Sequence, residues 1–200
     1  MGIIGKADFD KWIAALTTPR ETFAKEKVNI SNISLGKALK KVVVAGFILG
    51  VISTIYYILL NTESLKWCFG VDFGNMCVRT IILLPIFVLA VLLLSSGICL
   101  LAAKILGGKG HYETQTHIVL LFIAPLMLVF IINNIVGSAL GFNIISYIIN
   151  IAIFIYSIYL LILALKEVHE YSLVEAIATL LISIIIIFIY FCFSITFLMV

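Results

Sequence analysis

The side chains that could do chemistry lie in two polar stretches between long apolar runs. The first stretch is LGGKGHYETQTHI, residues 106–118, and the second is VHEYSLVEA, residues 168–176. Imidazole and carboxylate groups suit zinc and similar metals. The candidate metal ligands are His111, Glu113, His117, His169 and Glu170. A hydrated loop beside lipid headgroups would carry the same residue types, so a metal site and a plain connector both stay open.

Other signatures of catalysis are missing from the sequence. No HExxH or CxxC spacing, nucleophile elbow or P-loop is present. The glycine-rich run 107–110 follows a predicted helix, whereas a phosphate-binding loop lies between a strand and a helix. The sequence therefore predicts a protein that is not an enzyme and needs no cofactor.

The composition indicates a membrane protein. Of the 200 residues, 64% are apolar and 12% are charged, whereas a soluble domain is about 45–50% apolar and about 25% charged. The net charge of +3 gives no support to a nucleic-acid partner. The lipid bilayer is therefore the expected partner.

The apolar residues form five runs, each long enough for a helix to cross a hydrocarbon core of about 30 Å. The runs cover residues 38–60, 80–106, 117–140, 143–165 and 175–199. The sequence thus predicts an all-α, polytopic fold. Residues 1–37 form a cytoplasmic segment with a short amphipathic helix, and residues 38–200 form a domain of five transmembrane helices.

The basic residues predict the orientation of the chain, because Lys and Arg concentrate in cytoplasmic loops. Eleven of the 13 lie in the N-terminal segment and in the second and fourth loops, and the other two lie in the first loop. This asymmetry places the N-terminus in the cytoplasm and, with five spans in the cell membrane, the C-terminus outside. Both polar stretches then face the cytoplasm.

The N-terminal segment carries an apolar stripe at helical spacing. The stripe consists of Phe9, Trp12, Ile13 and Leu16. Such a helix lies in the membrane interface with Trp12 at headgroup depth, or it packs onto the cytoplasmic ends of the spans. A protein partner for the stripe is a third possibility.

Lysines and cysteines suggest two further features. Five lysines near the cytoplasmic interface are candidates for binding anionic lipid headgroups: Lys37, Lys40, Lys41, Lys104 and Lys109. Cys68 and Cys77 share the first loop, which is predicted to lie outside, where a disulfide can form. The sequence leaves open whether these two cysteines are bridged.

Polar residues of the last three spans predict specific hydrogen bonds. Asn133 and Asn150 lie at similar distances from the turn near residues 140–142, so their side chains can bond across a helical hairpin. Such a bond would hold the helices together, and the alternative is a polar lining for a substrate path. Ser172 and Glu175 have the spacing of a capping box before the last span.

Four short motifs occur in order along the chain. They are Trp12 with TPRETF (18–23), GGKGHY (107–112), Ala124-Pro125, and ALKEVH (164–169) with Ala176. In this order they resemble the Yip family, the Ypt/Rab-interacting five-span membrane proteins, over essentially the whole chain. The resemblance implies a cytoplasmic N-terminus and a compact five-helix domain. In eukaryotic members it also implies a non-catalytic role in vesicle trafficking through membrane-anchored small GTPases, whereas this chain is similar to minimal prokaryotic members.

Three hypotheses for function follow. The first is a non-enzymatic membrane scaffold or organiser that acts through its cytoplasmic face on proteins or lipids. The second is a small transporter or channel, although no ionisable residue lies deep within a predicted span. The third is a metal-dependent membrane enzyme built on the histidines of the two polar stretches.

Overall fold

The computed structural model describes residues 6–29 and 84–198, and every regular element in them is an α-helix. The helices are α1 (Lys6–Thr17), α2 (Pro19–Asn29), α3 (Leu84–Ile105), α4 (Tyr112–Leu140), α5 (Asn143–His169) and α6 (Leu173–Leu198). The predicted all-α class is confirmed for these residues. The first predicted span, the first loop with Cys68 and Cys77, and the lysines at 37, 40 and 41 lie outside them.

The helices α4 and α5 are long and apolar enough to cross a membrane. They contain 29 and 27 residues, which corresponds to lengths of about 44 and 41 Å. Shorter apolar stretches occur in α3, at Ala90–Ile105, and in α6, at Leu173–Ile189. Residues 84–198 therefore form a bundle of apolar helices, in which α4 and α5 are the two clear membrane-spanning helices.

The ends of α3 and α4 are closed by glycines in the left-handed region, with φ of 83° at Gly107 and 70° at Gly141. In each case the next residue donates its backbone N–H to a carbonyl five residues earlier, at 2.9 Å. This is the hydrogen-bond pattern of a Schellman motif, which satisfies the last carbonyls of a helix. These two glycines let the chain leave one helix and enter the next within a few residues.

A ladder of polar side chains joins α4 to α5. The predicted bond is confirmed: Asn133 Nδ2 donates to Asn150 Oδ1 at 2.9 Å. Asn150 Nδ2 in turn donates to Asn134 Oδ1 at 3.0 Å, and the Ser146 hydroxyl donates to the Asn133 carbonyl. The amide groups therefore satisfy one another between the two helices, which supports the structural interpretation of these asparagines.

The N-terminal helices α1 and α2, which we call the N-terminal pair, pack against α4 and α5. Trp12, Ala15 and Phe23 are buried in one core with residues of both long helices. The stripe of α1 is split, because Trp12 points into this core while Phe9 and Ile13 are 56% and 47% exposed. Packing onto the spans is thus observed for one side of the stripe only.

The start of α6 has the predicted capping box. The backbone N–H of Ser172 donates to the Glu175 carboxylate at 2.8 Å, and the N–H of Glu175 donates to the Ser172 hydroxyl at 3.4 Å. Two N–H groups that have no partner within the helix are satisfied in this way. The box fixes where α6 begins, directly after the connector from α5.

The close contact of α4 and α5 predicts that Gly137→Ala destabilises the fold. A Cβ at Gly137 would overlap the Ser146 hydroxyl, so the hairpin must open, at a cost of about 1–3 kcal/mol. The control is Gly97→Ala, whose Cβ would meet its nearest neighbour at 4.0 Å and which removes a helical glycine. Thermal unfolding in detergent should show a loss for Gly137→Ala and no loss for Gly97→Ala; equal behaviour would contradict the proposed contact.

Candidate functional site

The two polar connectors meet at one end of the bundle, which we call the connector end and define as residues 106–113 and 169–172 together with Lys104. Two glycines of the first connector lie directly against side chains of the second. A Cβ at Gly108 would come within 2.5 Å of the Tyr171 hydroxyl, and one at Gly110 within 2.8 Å of the His169 ring. Any other residue at these positions would push the connectors apart.

The imidazole of His169 lies at the centre of the connector end and is only 1% exposed. Its Nδ1 accepts the backbone N–H of Gly110 at 3.1 Å, and its Nε2 lies 2.9 Å from Gln115 Oε1. Because an N–H group can only donate, Nδ1 carries no proton and Nε2 donates to Gln115. The ring is therefore neutral, and both of its nitrogens are occupied by protein partners.

The network continues from Gln115 into the bundle. Gln115 Nε2 donates to the backbone carbonyl of Ser96 at 2.7 Å and approaches the Ser96 hydroxyl at 3.2 Å. The hydroxyls of Ser96 and Thr116 are 2.8 Å apart. All of these side chains are buried, and a buried polar group without a partner costs about 1–3 kcal/mol. The network thus couples α3, α4 and α5.

Tyr171 ties the second connector to α3. Its ring stacks on that of His169 with centroids 5.4 Å apart and an interplanar angle of 25°. Its hydroxyl donates to the carbonyl of Ala103, near the end of α3. This contact lies beside Gly108, so the absence of a side chain there is what admits the phenol ring.

Glu170 occupies a conformation that L-residues avoid. Its φ of 59° and ψ of 42° are left-handed, which costs about 1–2 kcal/mol for a residue with a Cβ. Its carboxylate lies 3.0 Å from Lys27 Nζ and 3.2 Å from Lys109 Nζ. Lys27 first, and then Lys109, hold the pKa of Glu170 below its ordinary value. The position joins the N-terminal pair to both connectors.

A second carboxylate, that of Glu26, is buried between three helices. Lys11 Nζ lies 2.8 Å from its Oε1, and His117 Nε2 lies 3.4 Å from its Oε2. Burial alone raises the pKa of Glu26, but the hydrogen bonds and charges of Lys11 and His117 outweigh it, so the pKa lies below the ordinary value. This ion pair connects α1, α2 and α4.

The candidate metal ligands are distributed over different surroundings. His111 and Glu113 are exposed at the start of α4, His117 lies beside Glu26, and His169 bonds Gly110 and Gln115. Among residues 6–29 and 84–198, no group of three or more His, Cys, Asp or Glu side chains is close enough to hold a metal. The structure therefore gives His117 and His169 partners within the protein, whereas His111 is exposed.

The predicted lipid-binding lysines are described only in part. Lys104 Nζ donates to the carbonyl of Gly108 at 3.1 Å, and Lys109 is 77% exposed while it pairs with Glu170. Both lie at the connector end.

Comparison with known families identifies the chain. The Yip1 domain pattern matches residues 13–195, nearly the whole sequence. The chain belongs to the Yip1 domain family. It is thus a multi-pass membrane protein, as the resemblance of its motifs implies. No curated protein and no solved structure matches the sequence.

Sequence reasoning about this Yip1 domain missed the residues that organise the connector end. From the sequence, Gln115 has no assigned role, and Gly108 and Gly110 belong only to a glycine-rich run that follows a predicted helix. The sequence does contain a signal. Two glycines separated by one residue lie in the first connector, and a histidine and an aromatic residue with the same separation lie in the second. That pairing becomes interpretable only when the two connectors are known to touch.

The His169 network predicts that His169→Phe destabilises the Yip1 domain by about 2–3 kcal/mol. Phenylalanine can keep the stacking on Tyr171, but it leaves the Gly110 N–H and Gln115 Oε1 buried without partners. The control is His111→Phe, because His111 is exposed. Thermal unfolding in detergent tests this; a network of no importance would give both variants the same midpoint.

The Glu26 ion pair predicts a pH-dependent part of the stability. Because the folded pKa of Glu26 is depressed, its contribution is present above the unfolded value of about 4.3 and is lost as pH falls through the folded pKa. Glu26→Gln should lose about 1–3 kcal/mol at neutral pH and should show a smaller further loss on acidification than the wild type. Glu21→Gln, at an exposed position, is the matched control; unfolding curves for all three proteins from pH 7 to pH 3 should separate Glu26→Gln alone.

Proposed function

We propose that this protein is a non-enzymatic membrane scaffold that acts through its connector end on cytoplasmic proteins or on lipids. The observation that carries the proposal is the construction of that end. His169, Gln115, Ser96 and Tyr171 bond to one another and to backbone groups. These hydrogen bonds hold the two connectors together, and charged and polar groups beside them are exposed for contact with a partner.

The topology belongs to the same proposal. Eleven of the 13 Lys and Arg residues fall on one side if five spans cross the membrane, which supports a cytoplasmic N-terminus and an outer C-terminus in the cell membrane. In this arrangement residues 1–37 are cytoplasmic and residues 38–200 form the membrane domain. The connector end then faces the cytoplasm together with the N-terminal pair.

The surface of the connector end carries both charge signs. Its exposed groups are Lys104, Lys109, His111, Glu113 and Glu170. Each lysine near an anionic leaflet contributes about 1 kcal/mol to lipid attraction, and Lys37, Lys40 and Lys41 would add to this if they lie on the same side. His111, Glu113 and Glu170 beside them offer hydrogen bonds to a protein partner.

A photo-crosslinking experiment tests the proposal with the full-length protein in native membranes. A photoreactive amino acid at His111 or Glu113 is expected to give adducts of defined mass, several-fold more abundant than those from Ile144 or Tyr147. These control positions are exposed at the opposite end of α5. Mass spectrometry of the adducts distinguishes a protein partner from an anionic lipid.

Two outcomes count against a scaffold. Adducts that are the same from both ends, or missing from His111 and Glu113, would show that the connector end recognises nothing in particular. Passage of ions or small solutes through liposomes that contain the purified protein would support the transporter instead.

A further inference from the structure

The N-terminal pair reaches far along the sides of α4 and α5. At one level, Lys27 Nζ donates to the carbonyl of Glu167, near the end of α5. At another, the Tyr156 hydroxyl donates to the carbonyl of Leu16, at the end of α1. Tyr156 and Glu167 are separated along α5 by about 16 Å. The turn between α1 and α2 therefore lies deep beside the bundle, far from the connector end.

Contacts with α4 give the same depth. The rings of Phe23 and Phe122 have centroids 5.9 Å apart, and Phe122 lies about 15 Å along α4 from its first residue, Tyr112. Trp12 and Ala15 belong to the same core cluster as Phe122. The contacts with α4 and with α5 thus agree. The N-terminal pair covers the part of the hairpin nearest the connector end, which is about a third of α4 and half of α5.

The covering helices are charged on their outer surface. Arg20 and Glu21 are exposed just after the turn between α1 and α2, and Lys25 is exposed one turn later. Ionised side chains at the middle of a bilayer are costly and rare. The surface of the N-terminal pair therefore needs water or headgroups down to the level of Tyr156.

The part of the α4–α5 hairpin that is left for contact with hydrocarbon is short. From Tyr156 to the start of α5 at Asn143 the helix rises about 20 Å, against a hydrocarbon core of about 30 Å. A mismatch of this kind is met by tilting of the helices or by thinning of the bilayer.

The opposite side of the bundle has a different requirement. On α3 the apolar residues Leu101 and Ile105 are exposed close to the connector end, and on α6 the same is true of Leu173 and Val174. These side chains favour hydrocarbon almost up to the connectors. No single depth of the protein in a flat bilayer can place the charged residues of the N-terminal pair in water and these apolar side chains in hydrocarbon.

We propose that the N-terminal pair thins the adjoining leaflet on one side of the protein, so that the protein interacts preferentially with bilayers of short acyl chains. Water and headgroups reach down to Arg20 and Glu21 beside α4 and α5, while hydrocarbon covers Leu101 on α3. The exposed Phe9 and Ile13 of α1 enter the boundary between headgroups and acyl chains, as expected for an amphipathic helix at an interface. This inference requires only that the protein spans a membrane, and it does not depend on the scaffold function.

The first experiment measures the polarity at two positions of the full-length protein in phosphatidylcholine vesicles. An environment-sensitive fluorescent amino acid is placed at Glu21 in one protein and at Leu101 in another. In a flat bilayer, Leu101 is closer to the connector end and would be the more polar position. One-sided thinning reverses this order: the probe at Glu21 reports water and resists quenching by lipids brominated in mid-chain, whereas the probe at Leu101 is quenched. Quenching at Glu21, or a probe at Leu101 in water, overturns the proposal.

The second experiment uses lipid chain length. Wild-type protein is reconstituted in phosphatidylcholines with chains from fourteen to twenty-two carbons, and its thermal unfolding midpoint is measured in each. The highest midpoint is expected with short chains, and the double variant Arg20→Leu with Glu21→Leu should move it towards longer chains by at least one two-carbon step. Glu113→Leu, which removes an exposed charge at the connector end, should leave the optimum unchanged. An optimum common to the wild type and the double variant overturns the proposal, and the probe measurement decides the question if the double variant does not fold.

Discussion

The hydrogen bond from the Gly110 N–H to the buried Nδ1 of His169 is the interaction on which the connector end depends. Inside a protein the imidazole must find a partner for each nitrogen, because an unsatisfied buried group costs about 1–3 kcal/mol. The backbone of the first connector supplies one partner and Gln115 supplies the other. This requirement brings α3, α4 and α5 together at a single point, and it explains why the approaching chain carries glycine where any Cβ would collide.

The N-terminal pair uses the same end of the bundle and gives it a charged outer layer. Glu26 joins α1 to α4 through Lys11 and His117, while Lys27 joins α2 to the end of α5. These polar links surround an apolar core that contains Trp12 and Phe23. One side of the bundle is therefore covered by a soluble-type helical layer, whereas the other side presents apolar residues almost to the connectors. The two sides of the bundle therefore differ in what they require of the surrounding membrane.

Much of the architecture was predictable because bilayers impose simple rules. The all-helical class follows from long apolar runs, and the Asn133–Asn150 bond follows from equal distances to a tight turn. The capping box of Ser172 and Glu175 is predictable because its two residues are only three positions apart in the sequence. The His169 site was different, since its partners Gly110 and Gln115 are separated from it by more than fifty residues. Nothing in a single sequence states which of several connectors will touch.

The sequence by itself determined the membrane class, the helices of the described residues and their polar turns, because hydropathy, capping and backbone satisfaction act over a few residues. It also carried the motifs by which the chain resembles its family. Only the tertiary structure decided which histidine is buried, which glycines make room for it, and that Trp12 faces the core while Phe9 and Ile13 face outward. These choices depend on the packing of helices that are distant in the chain, and the balance of burial, hydrogen bonding and charge is settled only when those helices meet.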